Sequence, residues 1–191
     1  MSTIQDDIAD QILLSKASIA ALSVGSILLV PQMFDAFNGM FPSPMTTFLV
    51  GRKSSPIRVE NDTVKSGGYN LNIPDSIKAL NGAPSFRLEM IRLPTAGAIL
   101  KIGDLLAKSG YFTKTPELEF MRHLRNGIAH GNQFNFVPAE PRRPASFETF
   151  VIENGLHGKT VLGDFIESGD VLALFDLLES NLRLGLYTVG H

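Results

Sequence analysis

Apolar residues recur at helical spacing through "DDIADQILLSKASIAALSVGSILLV", which predicts one long opening helix; its early Asp6 and Asp7 suit the positive end of the helix dipole. Pro31 is expected to end or kink it. From about Phe41 to Ala83 the periodicity breaks, and "FPSPM", "GRKSSP", "KSGGYN" and "NGAPS" read as turn and loop punctuation. A stretch that long is not an empty linker in a compact domain, so short strands are expected in "TTFLVGRKSSPIRVEN" and a helical turn in "DSIKAL". Helical spacing returns in "SFRLEMIRL" and "AGAILKIGDLLAKSG", which Pro94 makes either one broken helix or two. "TPELEFMRHLRNGIAHG" carries the clearest helix, with Thr115 as N-cap, Pro116 at the first position, Glu117 and Glu119 in the first turn and Gly131 as the stop. "PAEPRRPAS" reads as a loop, and "FETFVIENGLHGKTVL" as a hairpin turning at "ENGLHG". A final amphipathic helix, "SGDVLALFDLLESNLRLGL", has Ser168 as its expected cap. The predicted fold is mainly α, a helical bundle with a short β-hairpin before the C-terminal helix. At 191 residues it is expected as a single domain, 1–191, with an irregular insertion at about 41–83.

Composition narrows the function classes. A net charge of -2 means that any nucleic-acid contact must come from a local basic patch. The absence of cysteine excludes disulfides, thiolate metal sites and a cysteine nucleophile, and makes the cytoplasm the expected location. Ala17 to Val30 is uncharged, but the chain begins "MSTIQDDIAD", which is acidic where a secretory signal is basic. The run is also short for a membrane span, so it is expected as a helix buried at the centre of the domain rather than as an anchor.

Chemistry concentrates in "EFMRHLRNGIAHGNQF", which holds two of the four histidines. At about 100° per residue, Phe120, Met121, Leu124 and Ile128 fall on one arc, expected to face the core. Glu119, His123, Asn126 and His130 fall on the opposite arc, expected to face outward, with Arg122 and Arg125 beside it. Charged and amide residues opposite an apolar arc are also what an ordinary solvated helix face shows. Read as a site, the patch has an imidazole able to move a proton near neutral pH and guanidinium forks suited to phosphate. His123 and His130 stand seven residues apart, too far for a one-ion pair on one helix, and no metal or cofactor is expected.

"LRNGIAHG" resembles the signature of the HEPN superfamily, whose ribonuclease members carry Arg, commonly a polar residue next, and His after four to six intervening residues. Arg125, Asn126 and His130 match with four intervening residues. The resemblance is strong over about 116–132 and extends to 146–185, where some bacterial members have a short strand pair and a final helix. It implies a HEPN-like helical bundle that forms a homodimer around a shared cleft. It further implies metal-independent cleavage of RNA through the 2′-hydroxyl to a cyclic phosphate, with His130 as acid/base group, Arg125 stabilising the phosphorane and Asn126 positioning one of them. Arg122 and His123 belong to the same patch as expected RNA-binding residues, and Arg142 and Arg143 are candidates for substrate capture. Family members often act as toxins or in antiphage defence, restrained by an antitoxin or other regulatory protein. Others have lost activity, so the alternative expectation is a non-catalytic nucleotide- or RNA-binding or dimerisation module. The 41–83 segment has no counterpart in the resemblance.

Overall fold

A computed structural model of the chain describes residues 3–28, 30–40, 42–43, 46–61, 63–82, 84–112, 115–137 and 140–187. His191 and parts of the loops expected at "FPSPM", "NGAPS" and "PAEPRRPAS" lie outside them. The fold is mainly helical: among the described residues there are six α-helices and six short strands. The helices are α1 (Ile4–Leu28), α2 (Pro31–Asn38), α3 (Ile73–Gly82), α4 (Pro84–Lys108), α5 (Pro116–Ala129) and α6 (Ser168–Arg183). The chain divides into two compact units, Met1–Leu22 with Met90–His191, and Ser23–Glu89. The second contains the segment expected as an insertion and extends beyond it at both ends.

In the Ser23–Glu89 unit, β1 (Thr47–Val50) pairs antiparallel with β4 (Tyr69–Asn72). Nested between them in sequence, β2 (Arg58–Glu60) pairs with β3 (Thr63–Ser66), with a register shift between Arg58 and Val59. Gly67 makes the return possible: its φ is +89°, and a Cβ there would lie 2.0 Å from the Pro56 carbonyl oxygen. "DSIKAL" belongs to α3, a full helix rather than a single turn, with Ile77 buried.

In the larger unit, α1, α4, α5 and α6 contribute to one hydrophobic core. α1 buries Ile8, Ala9, Ile12, Ser15 and Ile19, a stripe at helical spacing, while Leu13 and Leu14 on its other side are about half exposed, at 49% and 54%. The expectation that the uncharged run at 17–30 is buried at the centre of the domain is corrected: Ile19 is buried, but Leu22 is 49% exposed and Val24 62%. The Ile4–Ser26 stretch of α1 is long and apolar enough to cross a membrane by length and composition alone. Lys16 ties α1 to Asp176 and Glu179 of α6, and Arg183 of α6 returns the link to Asp10 at 2.9 Å.

α4 runs unbroken through Pro94, and Thr95 beside it is fully buried, its hydroxyl donating to the Ile91 carbonyl at 2.7 Å and hydrogen-bonded to Ser168 Oγ at 3.1 Å. Ser168 thus serves a helix contact. The cap of α6 is Glu167, which forms a capping box with Asp170, whose carboxylate accepts the Glu167 N–H at 3.0 Å. The predicted hairpin is present before α6 but turns earlier than expected. β5 (Ser146–Phe147) pairs with β6 (Phe150–Val151) across Glu148, whose φ is +48°. "ENGLHG" instead begins with a 3₁₀ turn at Asn154–Leu156, and "KTVL" bridges back through Thr160 to Gln133. Tertiary pairing with the chain leaving α5 overrode the local strand pattern.

That chain reverses at Gly131 and Asn132, with φ of +78° and +64°, and is then pinned: the Asn132 side chain accepts the Leu162 N–H at 2.8 Å and donates to its carbonyl at 3.0 Å. Gly127 supplies the room for this corner, because a Cβ there would stand 2.4 Å from Val161 Cγ2. Gly127→Ala is expected to destabilise the protein, since overpacking of about 1–3 kcal/mol opposes a helix-propensity gain of about 1 kcal/mol. Adding Val161→Ala should recover part of the loss in chemical denaturation; equal or higher stability of Gly127→Ala alone would refute the packing.

Candidate functional site

α5 is sheltered on more faces than its sequence suggests. Phe120, Met121 and Leu124 are fully buried as expected, and Ile128 is partly buried. Glu119 and His123, expected to face outward, are each only 2% exposed. They are covered because the chain after α5 folds across them, bringing Phe136 edge-on to the His123 ring at 5.3 Å between centroids. Phe136 is itself held by its N–H donating to His157 Nδ1 at 3.1 Å.

Burying a carboxylate demands a partner, and Arg122 provides it. Its Nη2 donates to Glu119 Oε1 at 2.6 Å, and its Nη1 donates to Glu140 Oε1 at 3.2 Å. Nη2 also lies 2.9 Å from His123 Nε2, which must accept there, placing the imidazole proton on Nδ1. Burial pushes the His123 pKa below its usual range, and the Arg122 charge pushes it the same way. The expectation that His123 faces outward is corrected: it is an interior group. Arg122, with 19% of its side chain exposed and two carboxylates on its guanidinium, is internally committed.

Arg125, Asn126 and His130, at the C-terminal end of α5, are the accessible members of the polar stripe. Arg125 and Asn126 are partly exposed, and His130, which caps the helix through its N–H on the Asn126 carbonyl at 3.0 Å, is exposed. Arg125 Nη1 donates to Asn126 Oδ1 at 3.2 Å, so two of the three are directly joined. Arg142 and Arg143 are exposed beside an open groove whose walls include Glu140, Ser146, Glu153 and Asn154. Among the described residues no group of three or more His, Cys, Asp or Glu side chains is placed to hold a metal ion.

Three further residues shape the site. Asp104 Oδ1 of α4 accepts from Arg125 Nε at 2.8 Å and lies in ion-pair contact with Nη2 at 2.6 Å. Gly103 lets α4 approach so closely that a Cβ there would stand 2.5 Å from Arg125 Cγ. Glu140 closes the buried network from a loop. Only Gly103 left a sequence signal, a glycine inside a helical pattern.

Because His123 is neutral when folded and protonates more readily when unfolded, the unfolded chain holds an extra proton as pH drops below about 6.5. The stability it contributes is present above that pH and is lost as pH falls toward the lower folded pKa. Thermal unfolding from pH 7.5 to 5 should show this decline, and His123→Gln, which keeps an acceptor near the Nε2 position, should flatten it. An unchanged pH dependence in the variant would remove His123 as the source.

No protein-family model, no curated protein and no solved structure matches this chain, so the geometry and the motif are what bear on its function.

Proposed function

We propose that this chain is a HEPN-type endoribonuclease that cleaves RNA without a metal ion and works as a homodimer. One observation carries the reading: along α5, Glu119 and His123 are buried and Arg122 is engaged by two carboxylates, while Arg125, Asn126 and His130 are reachable at the C-terminal end of the helix. Those are the residues that match the motif.

In this reading His130 takes the proton from a ribose 2′-hydroxyl as O2′ attacks phosphorus. The bond from phosphorus to O5′ breaks, leaving a 2′,3′-cyclic phosphate and a 5′-hydroxyl, with the O5′ proton supplied by the second copy of His130 across the dimer. Arg125 stabilises the charge that builds on the phosphorane oxygens, and Asn126 holds the guanidinium. A cytoplasmic toxin or antiphage component, kept in check by an antitoxin or other regulatory protein, is the setting that the resemblance carries with it.

The Arg125–Asp104 ion pair favours one alternative, a non-catalytic module that binds RNA or nucleotides through the same helix end. Incubation of purified protein with total RNA and tRNA in EDTA separates the two. Cleavage is expected, and His130→Ala should lose on the order of 10²–10⁴-fold in rate with circular dichroism and dimer size unchanged. Undiminished cleavage by that variant sinks the assignment, and binding without strand cleavage selects the alternative.

A further inference from the structure

We propose that Asp104 is a positioning residue for Arg125: it clasps one edge of the guanidinium so that the remaining donors are presented to a backbone phosphate of single-stranded RNA. The proposal rests on Arg125 being a phosphate-binding group, which both readings above share.

Two consecutive residues of α4 hold two different parts of Arg125. Gly103 seats the aliphatic stem: a Cβ at that position would lie 2.5 Å from Arg125 Cγ and 2.7 Å from its Cβ. Asp104 holds the head, with Nε and Nη2 converging on the same oxygen, Oδ1, at 2.8 and 2.6 Å. Asn126 Oδ1 takes one donor from Nη1 at 3.2 Å. An arginine has five N–H donors in a planar fork. With Nε and one Nη1 donor engaged in hydrogen bonds and Nη2 in ion-pair contact with the carboxylate, N–H groups remain on both Nη1 and Nη2, the two terminal nitrogens that together can hold two oxygens of a phosphate.

Helix stability does not account for this clasp. The side chains are 34% and 59% exposed, and ion pairs that open to solvent contribute little to folding. What the clasp does accomplish is to fix the rotamers of a long side chain, so that less freedom is lost when an anion arrives. Its cost to an anion is a carboxylate standing nearby, and that makes the proposal testable by sign. If Asp104 were only a negative charge near an RNA surface, removing it would tighten binding. If it positions Arg125, removing it weakens binding.

The test uses a fluorescent single-stranded 2′-O-methyl oligoribonucleotide, which cannot be cut through its 2′-oxygen, with binding followed by anisotropy in EDTA at one fixed salt concentration. Asp104→Ala is expected to bind roughly tenfold more weakly than the unaltered protein. Asp104→Asn, which keeps an acceptor but no charge, should fall between them, whereas a pure charge effect would treat both variants alike. Gly103→Ala should weaken binding by displacing the stem. Asp104 is exposed, so circular dichroism of both variants is expected to match the unaltered protein. Equal or tighter binding by folded Asp104→Ala overturns the proposal, and so does failure of the unaltered protein to bind. The expected binding pattern with no cleavage of unmodified RNA sinks the ribonuclease reading while supporting the role of Asp104.

Discussion

A buried helix that carries charged side chains must neutralise them within the protein, and in the larger unit α5 is that helix. Moving an unpaired carboxylate out of water costs far more than one packing contact returns, so Glu119 can be interior only with Arg122 against it. Arg122 has capacity left over and takes Glu140 as well. Glu140 lies beyond the end of α5, so the ion pair ties down the loop whose neighbouring Phe136 covers His123. The pairing on α5 and the path of the chain after it are therefore one solution to one electrostatic constraint.

The same chain path sets what is left accessible. Gly127 allows the Val161 side chain against the helix, and the left-handed conformations of Gly131 and Asn132 turn the chain back at once. The reversal covers the side of α5 that holds Glu119 and His123, and leaves Arg125, Asn126 and His130 reachable at its end. Interior ion pairing and the accessible residues at the helix end are thus divided along one helix by a glycine-dependent corner, and α4 supplies the remaining support through Gly103 and Asp104.

Local chemistry made much of this legible. The apolar spacing of "TPELEFMRHLRNGIAHG", with Pro116 and Gly131, located α5 close to its observed bounds because those residues act through local backbone conformation; Thr115 stands at the N-cap position in extended backbone, but its side chain makes no capping hydrogen bond. The motif residues stood out through the resemblance of "LRNGIAHG" and not through periodicity, which an ordinary solvated helix face also shows. The orientation of the helix was not legible, since an arc of polar residues looks solvated until something folds over it. Ser168 was a reasonable cap by type, yet Glu167 and Asp170 form the reciprocal pair and Ser168 turns to Thr95. The hairpin shifted because Gln133 and Asn132, far away in sequence, claimed the strand-forming run at 159–162.

Sequence alone established a mainly helical chain and the position of its clearest helix, because periodicity and residue chemistry are local properties, and the resemblance carried by "LRNGIAHG" singled out Arg125, Asn126 and His130 as candidates. Only tertiary structure decided that His123 is an interior base, that Arg122 is committed to two carboxylates and that Asp104 holds Arg125. Each of those depends on a residue brought in from another element or on burial by a distant segment, and neither leaves a mark at helical spacing.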